Sequence, residues 1–113
     1  MTMTATTRKI ERVNIVDLSG RITIGEGTVV LRDTVRNLLQ RNEKNILLNL
    51  ADVSYIDSSG IGELVSSFTT VGNQAGKLKL LSLTKKVHDL LSITKLLTVF
   101  EVFDDEARAI RSF

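Results

Sequence analysis

A chain of 113 residues has room for one domain and little for a second. With 42% hydrophobic and 25% charged residues it has the balance of a folded globular chain, and with only 4% aromatics its core must come from Ile, Leu and Val. Fifteen basic residues against 13 acidic ones leave a net charge of +2, and the absence of cysteine excludes disulfides, thiol chemistry and cysteine metal sites together.

The basic pairs Arg8-Lys9 and Lys85-Lys86 are too thin to follow a phosphate backbone, and no aromatic residues interleave with them. Nucleic acid is therefore not an expected partner. One histidine, His88, leaves zinc without its usual ligands. The Thr-rich start lacks the apolar stretch of a secretory leader, and no apolar run approaches the roughly 20 residues that span a bilayer. The expectation is a cytoplasmic protein that needs no metal and no cofactor and does not insert into membranes.

Residues 1–7 read as a flexible tail before a single domain over 8–113. Ile10 to Leu18 carries apolar residues with polar ones between, which predicts one or two strands ending at Ser19-Gly20. Arg21 to Ile24 extends the second strand until Gly25-Glu26-Gly27 breaks it. From Thr28 to Gln40 the positions Val30, Leu31, Val35, Leu38 and Leu39 follow helical spacing. Asn45 to Val53 is almost continuously apolar, as expected of a strand buried on both faces.

Ser54 to Gly60 leads into a helix with the inner stripe Ile61, Leu64, Val65, Phe68 and Val71, stopped near Gly76. Leu78 to Leu83 predicts another strand. Thr84 caps a helix with Val87, Leu90, Leu91 and Thr94 inside. Val99 to Phe103 reads as the last strand. The tail from Asp104 has acids first and Arg108 and Arg111 last, the order a helix dipole favours. Strands that alternate with helices predict an α/β fold: a mixed, mostly parallel sheet of four to five strands packed with about four helices.

The chemistry concentrates in Asp57-Ser58-Ser59-Gly60-Ile61-Gly62, where a buried strand turns into a helix. The first N–H groups of a helix lack internal partners, and that end is partly positive. A serine there is exposed and accepts a phosphate readily. Gly60 and Gly62 are read as letting another backbone come close. Asp, Ser and Gly are also ordinary helix caps, so the cluster alone does not decide the matter.

A second feature favours an interface. Between Ser58 and Gly76 only Glu63 is charged, and Ser66, Ser67, Thr70, Asn73 and Gln74 are read as the outward side. A face so poor in charge is cheaply desolvated against a partner. Other readings fit less well. Gly60-Ile61-Gly62 has Val65 where a dinucleotide-binding turn needs its third glycine. Asp57 lacks the acidic pair of a phospho-aspartate receiver. Ser58 has no Gly-x-Ser-x-Gly elbow, and His88 beside Asp89 reads as a surface residue.

The run Val53-Ser54-Tyr55-Ile56-Asp57-Ser58-Ser59-Gly60-Ile61-Gly62 closely resembles the signature of the STAS family, in particular its bacterial anti-sigma factor antagonists, and Leu18-Ser19-Gly20 and the element order extend the likeness. The resemblance implies the STAS fold and a non-enzymatic partner switch. Unphosphorylated protein binds an anti-sigma factor that is also a serine kinase, which frees the sigma factor. Phosphorylation at Ser58 ends that binding, and a PP2C-type phosphatase resets it. ATP and magnesium belong to the kinase.

By the same match the partner-binding residues are Asp57, Ser58, Ser59, Gly60, Ile61, Gly62, Glu63, Ser66 and Ser67, with Arg21 and Thr23 from the second strand. Family members often carry acids where this chain has Arg21 and Thr23, which sets its circuit apart. The alternative within the family is an adaptor or scaffold subunit of a stress-sensing complex or lipid-transport ABC system, binding without obligatory phosphorylation. A monomer or weak dimer fits either.

Overall fold

The computed structural model describes residues 3–113 as one five-stranded sheet with four helices. Strand β1 (Met3–Ile10) runs antiparallel to β2 (Val13–Ile22) through a tight hairpin in which Glu11 takes a positive φ of 58°. Then come α1 (Glu26–Gln40), β3 (Asn45–Ile56), α2 (Ser58–Asn73), β4 (Lys77–Leu81), α3 (Lys85–Ile93), β5 (Val102–Phe103) and α4 (Glu106–Arg111). The strands lie in chain order, and every pair after the first is parallel. The mixed, mostly parallel sheet expected from the sequence is the sheet observed.

That order dictates the layers. Parallel crossovers are right-handed, and when each steps to the next strand in the same direction their helices land on one face. Leu31, Val35 and Leu38 of α1, Leu64 and Val71 of α2, and Val87 and Leu91 of α3 accordingly share one core with Val16, Leu18, Ile46, Leu48 and Leu80 of the sheet. Helix α4 follows the last strand and is free to return over the other face, where Ala109 joins Val13, Ile15, Leu47 and Leu81. This explains why Ile46 to Leu48 is apolar without interruption: its side chains enter both cores in turn.

Several boundaries differ from the sequence reading. The proposed tail meets a strand that begins at Met3, while residues 1 and 2 lie outside the described residues. Met3 is only 3% exposed and Ala5 packs beside it, so residues 3–7 have an apolar face to bury, and the threonines between them suit an edge strand. Helix α1 starts at Glu26, before the predicted Thr28, and Gly27 allows this. A Cβ there would lie 2.4 Å from the Arg21 carbonyl.

Strand β4 stops at Leu81, because Ser82 turns to a positive φ of 59°. The last strand shrinks to Val102–Phe103, since Phe100 leaves the sheet line to meet Phe68 edge-on at 5.2 Å between ring centres.

Candidate functional site

At the carboxyl end of the sheet, β2 and β3 hand over to α1 and α2. Between β2 and β3 the register slips at Asp17/Ser19 and again at Gly20/Arg21, so the ends of both strands are re-aimed next to the helix starts. Asp57 follows β3 and caps α2. One carboxylate oxygen, Oδ1, accepts the Gly60 N–H at 2.8 Å, and the other, Oδ2, accepts the Ile24 N–H at 3.0 Å from the β2–α1 loop. The Asp57 N–H in turn donates to the Ile22 carbonyl at 3.3 Å, and its own carbonyl accepts the Ile61 N–H at 3.0 Å. These donors hold the carboxyl below the usual aspartate range: the Gly60 N–H most, then the Ile24 N–H, against the opposing cost of desolvation.

Ser58 is the first residue of α2 and is exposed, and its hydroxyl makes no hydrogen bond among the described residues. Ser59 is half-buried. Ser66, Asn73 and Gln74 are exposed along the helix as the sequence suggested, and Thr70 is half-buried. Thr69 and Gly72, which the sequence reading omitted, are exposed too.

Four assignments change. Gly60 is buried, and a Cβ there would lie 2.1 Å from the Ile22 carbonyl, so its missing side chain serves the packing of α2 on β2 and not a partner's approach. Gly62 has open space around it and keeps that second role. Glu63 is 8% exposed, turned toward α1, where Arg32 grips it at 2.9 Å. Ser67 is buried behind it and donates to the same carboxylate at 3.5 Å. Glu63 and Ser67 therefore belong to the α1–α2 contact, and no charged side chain remains on the outward face of α2. Ile61, at 9% exposed, is core.

The β2 side contributes Arg21, whose guanidinium lies 5.1 Å from the centre of the Tyr55 ring, and Lys86 of α3 approaches the same ring to 5.0 Å. Thr23 is half-buried and its carbonyl accepts the Thr28 N–H. Next to it Ile24 is 76% exposed, a large aliphatic side chain in water beside the Asp57 cap. The sequence reading carried the second strand on to Ile24, but β2 ends at Ile22 and Ile24 stands in the turn before α1.

His88 is more than half exposed on α3, beside Asp89. Among the described residues no group of three or more His, Cys, Asp and Glu gathers to hold a metal, and no helix is long and apolar enough to cross a membrane. What this geometry can do is present one unengaged hydroxyl at a helix start, on a face that a protein can cover.

Residues 4–109 match the family model of the STAS domain. The chain belongs to the STAS domain family. It is 33% identical over 87 residues to the anti-sigma-B factor antagonist of Bacillus subtilis, covering 77% of this chain and 78% of that one. It is 26% identical over 98 residues to the anti-sigma F factor antagonist of Paenibacillus polymyxa, covering 87% and 84%. The Bacillus cell fate determinant SpoIIAA, solved in its phosphorylated form, shares the fold with a TM-score of 0.75 at 18% identity, over 96% of this STAS chain and 98% of that one.

Proposed function

We propose that this STAS protein is an anti-sigma factor antagonist that works by binding and not by catalysis. Unphosphorylated, it docks on an anti-sigma factor that is also a serine kinase, and the sigma factor goes free. The kinase, which carries the ATP and magnesium, transfers the γ-phosphoryl group to Ser58. The Oγ–P bond forms as the bond to ADP breaks, and the hydroxyl proton is released. A PP2C-type phosphatase then returns the hydroxyl and inorganic phosphate by hydrolysis. The protein acts in the cytoplasm, as a monomer or weak dimer.

The observation that carries this reading is Ser58: exposed, without a hydrogen bond, at the head of a helix whose outward face bears no charge. A phosphate brings about −1.5 to −2 charges to that face, and burying it against a partner without a matching cation is costly. Arg21 and Lys86 at the Tyr55 ring stand at the margin, and the family resemblance puts acids where this chain has Arg21 and Thr23. The kinase that reads this chain accordingly has an acidic patch there, and Arg21→Glu weakens its binding. The names borne by the Bacillus subtilis and Paenibacillus polymyxa relatives support the same assignment.

The test is capture from the host's lysate with wild type and Ser58→Glu as baits, followed by incubation of the captured complex with ATP and mapping of the phosphorylated residue. Capture of an ATP-binding serine kinase by wild type alone, with phosphate found on Ser58, is the expected result. Equal capture of a transporter or a large scaffold by both baits overturns it, and leaves a STAS adaptor whose serine is a helix-start residue.

A further inference from the structure

The sheet ends on one side in β5, which is 2 residues long, and on the other in β1, which is 8 residues long. The register of β1 on β2 runs without a break, with Ile10 opposite Val13 across the Glu11-Arg12 turn. In a two-residue hairpin that pair exchanges both of its hydrogen bonds, and the alternation continues along the strand. Thr4, Thr6, Arg8 and Ile10 therefore turn their backbone groups to β2. Met3, Ala5, Thr7 and Lys9 turn theirs outward, and none of those N–H and carbonyl groups has a partner among the described residues.

A strand edge of this kind takes up another strand unless something prevents it. The usual guards are missing here. The chain has no proline, β1 has no bulge, and no charge falls between Met3 and Thr7. Arg8 is engaged by Asp17 and Glu106, and Lys9 by Glu43. On the helix side of the edge lies a cavity of about 360 Å³, lined by Ala5, Thr7, Thr34, Asn37, Leu38 and Arg41. Side chains of an added strand have room there.

The strand fits its own copy. Its outward residues, Met3, Ala5, Thr7 and Lys9, are symmetric about Thr6. A second β1 laid antiparallel on a dyad at Thr6 sets Ala5 against Thr7 and Met3 against Lys9, each pair exchanging its N–H and carbonyl groups. Thr6 then meets Thr6 and Arg8 meets Thr4, so no like charges stand opposite one another.

We propose that β1 is a self-association edge: two copies of this chain pair antiparallel through Met3 to Lys9, with the dyad at Thr6, into one continuous sheet. Helix α1 packs over β1 and α2 over β4, so the outward face of α2 stays open in both copies. The pairing is thus compatible with a partner on α2 and does not rest on the role given to Ser58. An edge-to-edge contact is small, below the roughly 1,200 Å² of stable interfaces, so the dimer is weak and forms as concentration rises.

The chain has no cysteine, so single cysteines report the pairing without interference. Thr6→Cys puts two thiols across the dyad with Cα atoms about 4.5 Å apart, inside the roughly 4.4–6.8 Å that a disulfide spans. Thr4 is exposed as well, but the two copies of Thr4→Cys lie four positions apart along the strands, about 14 Å. Under mild oxidation at equal concentration, Thr6→Cys is expected to form the disulfide dimer at least about tenfold faster than Thr4→Cys. Adding Thr7→Pro to Thr6→Cys removes an outward N–H and spares the β1–β2 ladder. That double variant is expected to crosslink no faster than Thr4→Cys.

A dilution series of the unmodified chain by NMR is expected to shift the amide signals of Ala5 and Thr7 more than those of Thr4 and Thr6. It decides the matter even where Thr7→Pro loosens β1. Equal crosslinking rates for the two cysteines, or amide signals of β1 that do not change with concentration, overturn the proposal and leave this edge to water or to a different protein's strand.

Discussion

Gly60 and Gly62 sit two positions apart in one helix and do opposite things. A methyl at Gly60 would lie 2.1 Å from the Ile22 carbonyl, a backbone atom with nowhere to go, whereas nothing stands within 4 Å of one at Gly62. Gly60→Ala is therefore expected to cost about 3 kcal/mol or more through backbone displacement. Gly62→Ala is expected to be neutral or stabilising by up to about 1 kcal/mol, since alanine is the better helix former. Urea denaturation of both variants checks the pair. If Gly62 admits a partner's backbone, its alanine variant also binds that partner more weakly while being no less stable.

Asp57 gives a third measurement at this scale. Asp57→Ala removes the cap and the loop tie together and is expected to cost about 1–2 kcal/mol, readable in the same denaturation. The Asp-Ser-Ser-Gly run was legible because capping is local chemistry. The function of Gly60 was not, because the carbonyl it accommodates belongs to Ile22, far earlier in the chain.

At the scale of the element, helix α2 has three sides, and the sequence reading saw two. Helical period separates apolar from polar positions and put Ser67 on the outward side, and the family match placed Glu63 and Ser67 among the partner-binding residues. Helix α1 covers that flank, so the single charge of α2 is spent on Arg32. Arg32→Ala leaves Glu63 nearly buried with only the Ser67 hydroxyl to face it. Since the Arg32 side chain is itself 41% exposed, the loss is expected to be about 1–2 kcal/mol, less than for a fully buried pair. Glu63→Gln, which keeps the shape and discards the charge, is expected to cost less. Comparing the two in thermal unfolding separates the stranded charge from lost packing.

Across the whole molecule, the termini of the fold are fastened by charge. Arg8 of β1 bonds Asp17 of β2 at 2.7 Å and Glu106 of α4 at 2.6 Å, and Asn49 of β3 donates to the same aspartate at 2.8 Å. Bonding to Arg8 is the first cause that holds Asp17 and Glu106 below their ordinary values of 3.8 and 4.5. A carboxylate depressed in the folded state stabilises it above the unfolded pKa, and that contribution is lost as pH falls through the folded value. The melting temperature is thus expected to stay level down to about pH 5 and to fall below about pH 4. Arg8→Met should shrink the acid-dependent part, modestly because these groups are partly in water. A melting series between pH 7 and pH 2.5 on both chains checks it.

Lys79, predicted on a strand and otherwise unremarked, is buried beneath the chain's end, donating to the Ser112 carbonyl at 2.8 Å with the Phe113 ring 4.7 Å away. Only the return of α4 over the second face creates that environment.

The sequence by itself determined the alternation of strands and helices, the absence of thiol chemistry, and the serine at a capped helix start, because each follows from composition or from neighbours within a few residues. The order of the strands, and with it the face on which α1, α2 and α3 lie, was set by the fold. The tertiary structure decided which polar side chains stay in water. Glu63 and Ser67 went inside, Ile24 stayed out, and residues 3–7 became an edge strand, because burial depends on which distant segment packs alongside, and no local pattern records that.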